Sequence, residues 1–233
     1  MRLSPGVSSK FFDSLRNAPQ AAAELFLVEG DSAAEAVCAV RNPALQAVLP
    51  LQGKPMNALK ATPGRLLASP WFAALTAVLG DAPGTALPLG TLRYERVLLL
   101  MDPDADGIHA GALVQLFFYR CMPTLLESGR LEIVHAPWGE IRRGGDEPLL
   151  SFHAAQFQQQ CRALEAVAGA RHERIRYRGL GTITPEILER CCVNLATRHT
   201  RVLGITDAEL AAAAFGPRTA VQGGGGGGGG GAR

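Results

Sequence analysis

An α/β fold built on a parallel sheet with helices on both faces is what this sequence predicts, and two observations predict it. Four short segments, ELFLV (24–28), LQAVL (45–49), ERVLLLM (95–101) and LEIVHA (131–136), are continuous apolar runs rather than alternating ones. A strand buried on both faces reads that way, whereas a strand with one wet face alternates. Segments of helical texture separate the runs, and strands alternating with helices indicate parallel crossovers.

Taken in order, a lead-in (1–23) precedes the first strand, which ends at Glu29-Gly30-Asp31-Ser32. Asp31 or Ser32 is expected to cap an alanine-rich helix over 33–40. Pro43 and Pro50 bound the second strand. Residues 63–80 read as one helix, with Pro63 and Gly64 at its start and Gly80 at its end, and a turn-rich connection follows over 81–90. The third strand runs into Asp102-Pro103-Asp104-Ala105-Asp106-Gly107, a helix over 108–127 stops at Ser128-Gly129, and 131–136 is a fourth strand. From Trp138 the texture changes: a polar hairpin or loop (139–148), a helix (153–168), a basic segment (171–178), a Gly179-Leu180-Gly181 turn, a helix from Pro185 to about 199, and a short helix over 207–215. The chain thus divides into the lead-in, a sheet domain (24–137), a small, mostly helical C-terminal tail region (138–216) and a glycine-rich end (217–233). Nine of the 27 glycines form the run 223–231, which can bury nothing and is expected to be disordered.

Composition narrows the function. With 233 residues the chain holds one ordinary domain, or one plus an appendage. No apolar run reaches the ~18 residues of a membrane span, and the N-terminus lacks the apolar core of a signal peptide. Five cysteines without a CxxC spacing argue against a zinc site or disulfide framework, and for a reduced, cytoplasmic chain.

The chemistry concentrates in carboxylates. Ligands of an open parallel sheet bind beyond the carboxyl ends of the strands. Glu29 stands past the first strand, and Asp102, Asp104 and Asp106 past the third. If those strands are neighbours, four acids converge, repel one another and raise their own pKa values. A hard cation relieves that repulsion, and Mg²⁺ takes one or two carboxylates while keeping several waters. Two other readings stay open. A calcium loop would share the Asp-x-Asp-x-Asp-Gly string but needs a glutamate where Leu113 stands. A solvated turn with capping aspartates would use the same residues structurally.

Several separated motifs add a resemblance. Glu29-Gly30-Asp31-Ser32-Ala33, then Leu49-Pro50-Leu51-Gln52-Gly53-Lys54 with Asn57, then Met101-Asp102-Pro103-Asp104-Ala105-Asp106-Gly107-Ile108-His109 running into Leu116 to Pro123, and finally Arg176-Tyr177-Arg178-Gly179-Leu180-Gly181 with 194–206, resemble the Toprim and tail region of bacterial type IIA topoisomerase B subunits, gyrase B or topoisomerase IV B. The match covers about 24–206 in order and implies a Toprim (Rossmann-like) fold. It also implies that Glu29, Asp102 and Asp104 are catalytic and, with Asp106, hold Mg²⁺ or alternatively Mn²⁺ beside a scissile DNA phosphate. Lys54 and Asn57 match DNA-contacting positions. The implied partners are DNA and an A-type subunit carrying the nucleophilic tyrosine, with no membrane. The tyrosines here are Tyr94, Tyr119 and Tyr177; Tyr177 lies in the tail signature and is rejected as nucleophile. The seven arginines between 171 and 201, against three glutamates, fit a DNA role and a solvated helix face about equally, and packing against an A-type subunit is a third reading.

The sequence departs from the resemblance at Ala34-Glu35, in place of Gly-Gly, at Pro55 after Lys54, at Met101 and Pro103 around the first aspartates, and at Trp138-Gly139-Glu140. The family's ATPase and transducer regions have no counterpart in these 233 residues, so ATP is expected to act only through a separate chain. Three functions remain: a topoisomerase B-type subunit supplying the ion for cleavage and religation, a stand-alone Toprim nuclease, and a non-catalytic decoy binding DNA or the A-type partner.

Overall fold

The computed structural model describes residues 11–15, 22–80, 92–166 and 172–216. The glycine run, the 81–90 connection, most of the lead-in, Arg171 and the last residues expected in the 153–168 helix lie outside the described residues.

The first strand, β1 (Glu24–Glu29), passes directly into α1 (Gly30–Val40), and β2 (Gln46–Leu51) follows. The helix begins at Gly30, earlier than expected, and neither Asp31 nor Ser32 caps it: Glu29 occupies the N-cap position without a side-chain bond. Gly30 adopts φ +76°, a left-handed conformation that lets the chain leave the strand and enter the helix within one residue. The helix expected over 63–80 is two helices, α2 (Pro63–Leu67) and α3 (Pro70–Leu79). Pro70 opens the second, because a proline lacks the N–H that a continuing helix needs but fits a first turn.

After β3 (Arg96–Leu100), α4 (Ala105–Cys121) starts three residues early because Asp104 caps it, and α5 (Pro123–Glu127) is split from it at Met122-Pro123, where proline again opens a new helix. Then come β4 (Leu131–Val134), β5 (Gly139–Arg142), β6 (Leu149–Ser151), α6 (Ala154–Glu165), β7 (Glu173–Arg176), α7 (Pro185–Leu188), β8 (Thr200–Val202) and α8 (Ile205–Phe215). The polar stretch after Trp138 is the β5–β6 hairpin, and the basic segment pairs with it as β7 in a small antiparallel sheet of order β6-β5-β7. The helix expected from Pro185 to 199 stops at Leu188 and passes into a π turn (Glu189–Val193).

The main sheet has the order β2-β1-β3-β4-β8, parallel except for β8. Its pleat divides the apolar runs between two cores. Leu25, Leu27, Leu49, Val97 and Leu99 face one side, with Phe72, Leu75, Val114, Phe117 and Leu125 from α3, α4 and α5. Phe26, Val28, Val48, Leu98 and Leu100 face the other, with α1 and, from the tail, Tyr177, Leu180, Ile187, Leu188 and Cys191–Val193. Pro50 is tolerated in β2 because that strand is the sheet's edge, where no further long strand needs its N–H. The Ala34-Glu35 pair is accommodated by orientation: Ala34 is buried against the sheet and Glu35 points to solvent.

Candidate active site

The two strands that end in the acids are neighbours in the sheet. β1 and β3 pair in parallel, Val28 opposite Leu100, so Glu29 and the segment beginning at Asp102 leave the sheet at the same edge. The four acids act on one another there. Burial pushes the Glu29 carboxyl upward, and the charges of Asp102, Asp104 and Asp106 push it further, against a lowering by Lys54. Burial also raises Asp102, opposed by a backbone hydrogen bond from Leu180 and reinforced by Asp104. Among the described residues Glu29 Oε2 is buried without a hydrogen-bond partner, the costliest condition for a carboxylate oxygen.

The other acids are differently engaged. Asp104 Oδ1 accepts from Gly107 N at 2.8 Å and caps α4, so the capping alternative holds for this one residue. The loop from Asp102 to Gly107 folds back so tightly that a Cβ on Gly107 would stand 2.2 Å from the Asp102 carbonyl oxygen, and only glycine fits. Asp106 pairs with Lys54 Nζ at 3.0 Å, both side chains being largely open to solvent. Lys54 follows Gly53, whose φ of +72° turns the chain after β2 toward the acids. Gln52 Nε2 donates to Asp31 Oδ1 at 2.6 Å and ties the end of β2 to the first turn of α1. Asn57 is engaged elsewhere. Its Nδ2 donates to the Phe215 carbonyl at 2.7 Å and its Oδ1 accepts from Leu59 N and Lys60 N, which binds it to the end of α8.

Among the described residues no three histidine, cysteine, aspartate or glutamate side chains gather closely enough to enclose an ion by themselves. The donor chemistry nevertheless fits magnesium. Glu29 and Asp102 are two strained carboxylates at one edge, one with an oxygen lacking any partner, and Mg²⁺ asks for one or two such groups and fills its octahedron with water.

Two contributors escaped sequence reasoning as site elements. Gly179 and Leu180 read as a turn, yet the Leu180 N–H reaches Asp102 Oδ1 at 2.9 Å. Only a glycine-flanked leucine in the sequence pointed there, and a backbone donor leaves no residue-type signal. The tyrosines are withdrawn from the edge. Tyr94 is buried and donates to Asp13 Oδ1 at 2.7 Å, Tyr177 is 2% exposed, and Tyr119 packs on the first core. No helix among the described residues is long and apolar enough to cross a membrane, and all five cysteines are free thiols.

Residues 24–136 match the Toprim domain family. The DNA gyrase B subunit of Thermotoga maritima is 37% identical over 188 residues, 81% of this chain and 29% of that protein. The Archaeoglobus fulgidus protein of the same name is 35% identical over the same shares. The type 2 topoisomerase B subunit of Aquifex aeolicus is 40% identical over 124 residues, 53% of this chain and 16% of that protein. The chain therefore spans under a third of the length of these relatives. Residues 24–136 are thus a Toprim domain, carried by a chain that is a relative of DNA gyrase B subunits.

Proposed function

We propose that this chain acts as a type II topoisomerase B-type subunit, supplying the acidic, Mg²⁺-binding half of a DNA cleavage and religation site whose nucleophilic tyrosine comes from an A-type partner. The observation that carries the reading is the unpartnered, buried Glu29 Oε2 beside Asp102 on adjacent parallel strands. Glu29, Asp102 and Asp104 are assigned to catalysis; Glu29 and Asp102 would hold the ion directly, with Asp104, the cap of α4, and Asp106, the partner of Lys54, adding negative charge beside it. Bound there, Mg²⁺, or Mn²⁺ in its place, would stabilise charge developing on the scissile phosphate and the leaving 3′ oxygen.

The chain's own residues supply the rest. A carboxyl raised as Glu29 is holds its proton more readily than an ordinary carboxylate does, which suits it to deliver a proton to the leaving oxygen or take it back on religation. Lys54, exposed and paired among the described residues with an exposed aspartate, can exchange that partner for a DNA phosphate. Asn57, at the end of α8, would meet DNA only as part of that packed corner. The burial of Tyr94 and Tyr177 supports an external nucleophile.

The test mixes the chain with an A-type subunit, supercoiled DNA and Mg²⁺. Trapped covalent cleavage that disappears with Asp102→Ala supports the proposal. Nicking by the chain alone would replace it with the nuclease reading. Inhibition of a resident topoisomerase without metal-dependent cleavage would replace it with the decoy.

A further inference from the structure

We infer that the Gly179-Leu180 turn of the tail is a positioning element of the ion site: its backbone fixes the Asp102 carboxylate, so that ion affinity depends on how the tail is seated. The inference rests on the proposed role of Asp102 as a ligand. Three observations carry it.

First, the Leu180 N–H donates to Asp102 Oδ1 at 2.9 Å, and this bond spans 78 residues of sequence. A hydrogen bond to a ligating carboxylate selects the rotamer and the oxygen left for the metal, and loss of such outer partners typically weakens metal affinity by about 10–100-fold. Second, the approach is close. A Cβ on Gly179 would lie 3.0 Å from Asp102 Oδ2 and 3.2 Å from Oδ1, so a side chain there would push the carboxylate by a few tenths of an ångström from the position the Leu180 N–H gives it. The Gly179 backbone is extended, with φ −178°, a conformation every residue adopts, so the effect of a substitution is contact with the carboxylate and not chain strain. Third, the turn is held from behind. Leu180 and Tyr177 are buried in the core shared with α1. Thr182 closes the turn, its N–H and hydroxyl donating to the Gly179 carbonyl at 3.0 and 2.7 Å while its oxygen accepts from Arg178 N at 3.2 Å. Asp102 is thereby clamped between the end of β3 and a turn belonging to the other side of the sheet.

Gly181 provides the control. A Cβ there would crowd only the Ser32 hydroxyl, which can rotate away. Mn²⁺ affinity of the whole chain, read by electron paramagnetic resonance of the free ion and paired with a thermal melt, separates the cases. The expectation is that Gly179→Ala weakens Mn²⁺ about 10-fold at an unchanged melting temperature, that Gly181→Ala binds as the unsubstituted chain does, and that Asp102→Ala abolishes binding. Gly179→Ala binding normally while Asp102→Ala does not would overturn the positioning role and leave the ion site standing. Equal binding, or none, by the unsubstituted chain and Asp102→Ala would overturn the ion site and this inference together. If Gly179→Ala does not fold, Thr182→Val decides, since it loosens an exposed turn without touching Asp102: several-fold weaker Mn²⁺ supports the inference and unchanged affinity overturns it.

Discussion

Strand β1 carries a glutamate at each end, and the two are handled in opposite ways. Glu24, at the amino end, is almost wholly buried and fully answered. Arg198 grips it with both terminal nitrogens at 2.6 and 2.7 Å, and Gln46 Nε2 adds a bond at 2.9 Å. Glu29, at the carboxyl end, faces three aspartates and keeps an oxygen with no partner. The same residue type on the same strand is a closed ion pair at one end and an open, repelling site at the other. The buried carboxylate at the closed end brings its own cation from the chain, and the one at the open end has room for a cation from outside.

The largest expected effect comes from breaking the closed end. Arg198 and Glu24 side chains are only 2% and 5% exposed, so Arg198→Ala strands a charge where water cannot reach it. Removing one partner of a buried pair costs about 3–5 kcal/mol. For a chain of this size that is a fall of roughly 10 °C in melting temperature. Replacing both partners, Glu24→Leu with Arg198→Met, should recover most of the loss, because the penalty lies in the unpaired charge. A circular-dichroism melt showing the double variant as unstable as the single one would mean that Arg198 acts through its place over the Phe26 ring and its hydrogen bond to the Val193 carbonyl instead.

Breaking the open end should do less and have the opposite sign. Both Glu29 and Asp102 are raised, so the folded protein holds their protons to higher pH than the unfolded chain does. Their contribution is therefore present in acid, below the ordinary carboxylate range, and is lost as pH rises through the raised values. Glu29→Gln removes the repulsion and should raise the metal-free melting temperature at pH 7 by roughly 2 °C, a small gain because solvent screens a partly exposed group. It should also flatten the decline in stability between acid and neutral pH. Added Mg²⁺ should stabilise the unsubstituted chain and leave Glu29→Gln unmoved. A variant that is less stable than its parent at neutral pH would show Glu29 to be a structural residue like Glu24.

The contrast explains what could be read from the sequence. The four parallel strands were legible because double-sided burial writes itself as unbroken apolar runs, and the acids were legible because they follow those runs. β8 was not, since Thr200, Arg201 and Val202 are all exposed and join the sheet by pairing with β4, which no residue type announces. The length of the helix after Pro185 was misread because its apolar residues, Ile187 and Leu188, are followed by Cys191 to Val193 in a π turn packed on the sheet. The Glu24–Arg198 pair was invisible because its members are 174 positions apart. Leu180 escaped for a different reason: its side chain serves the core, and the part that touches Asp102 is a backbone N–H common to nearly every residue.

The smallest expected effect on stability, and the sharpest test of the comparison, is Lys54→Ala. If the open end awaits a partner from outside, the lysine resting there should matter little to the fold. Its pair with Asp106 is exposed at 45% and 81%, and such pairs contribute about 0–1 kcal/mol, so the melting temperature should move by no more than about 2 °C. Two other quantities should respond. The lysine's charge holds the Glu29 carboxyl down, so its removal should shift the pH-dependent loss of stability to higher pH. If Lys54 exchanges Asp106 for a DNA phosphate, the slope of log affinity against log salt should fall by about 0.9 in a fluorescence-anisotropy titration with duplex DNA. A slope that stays the same while the pH profile shifts would assign Lys54 to the acids alone, and the DNA would then have to be held by other basic residues.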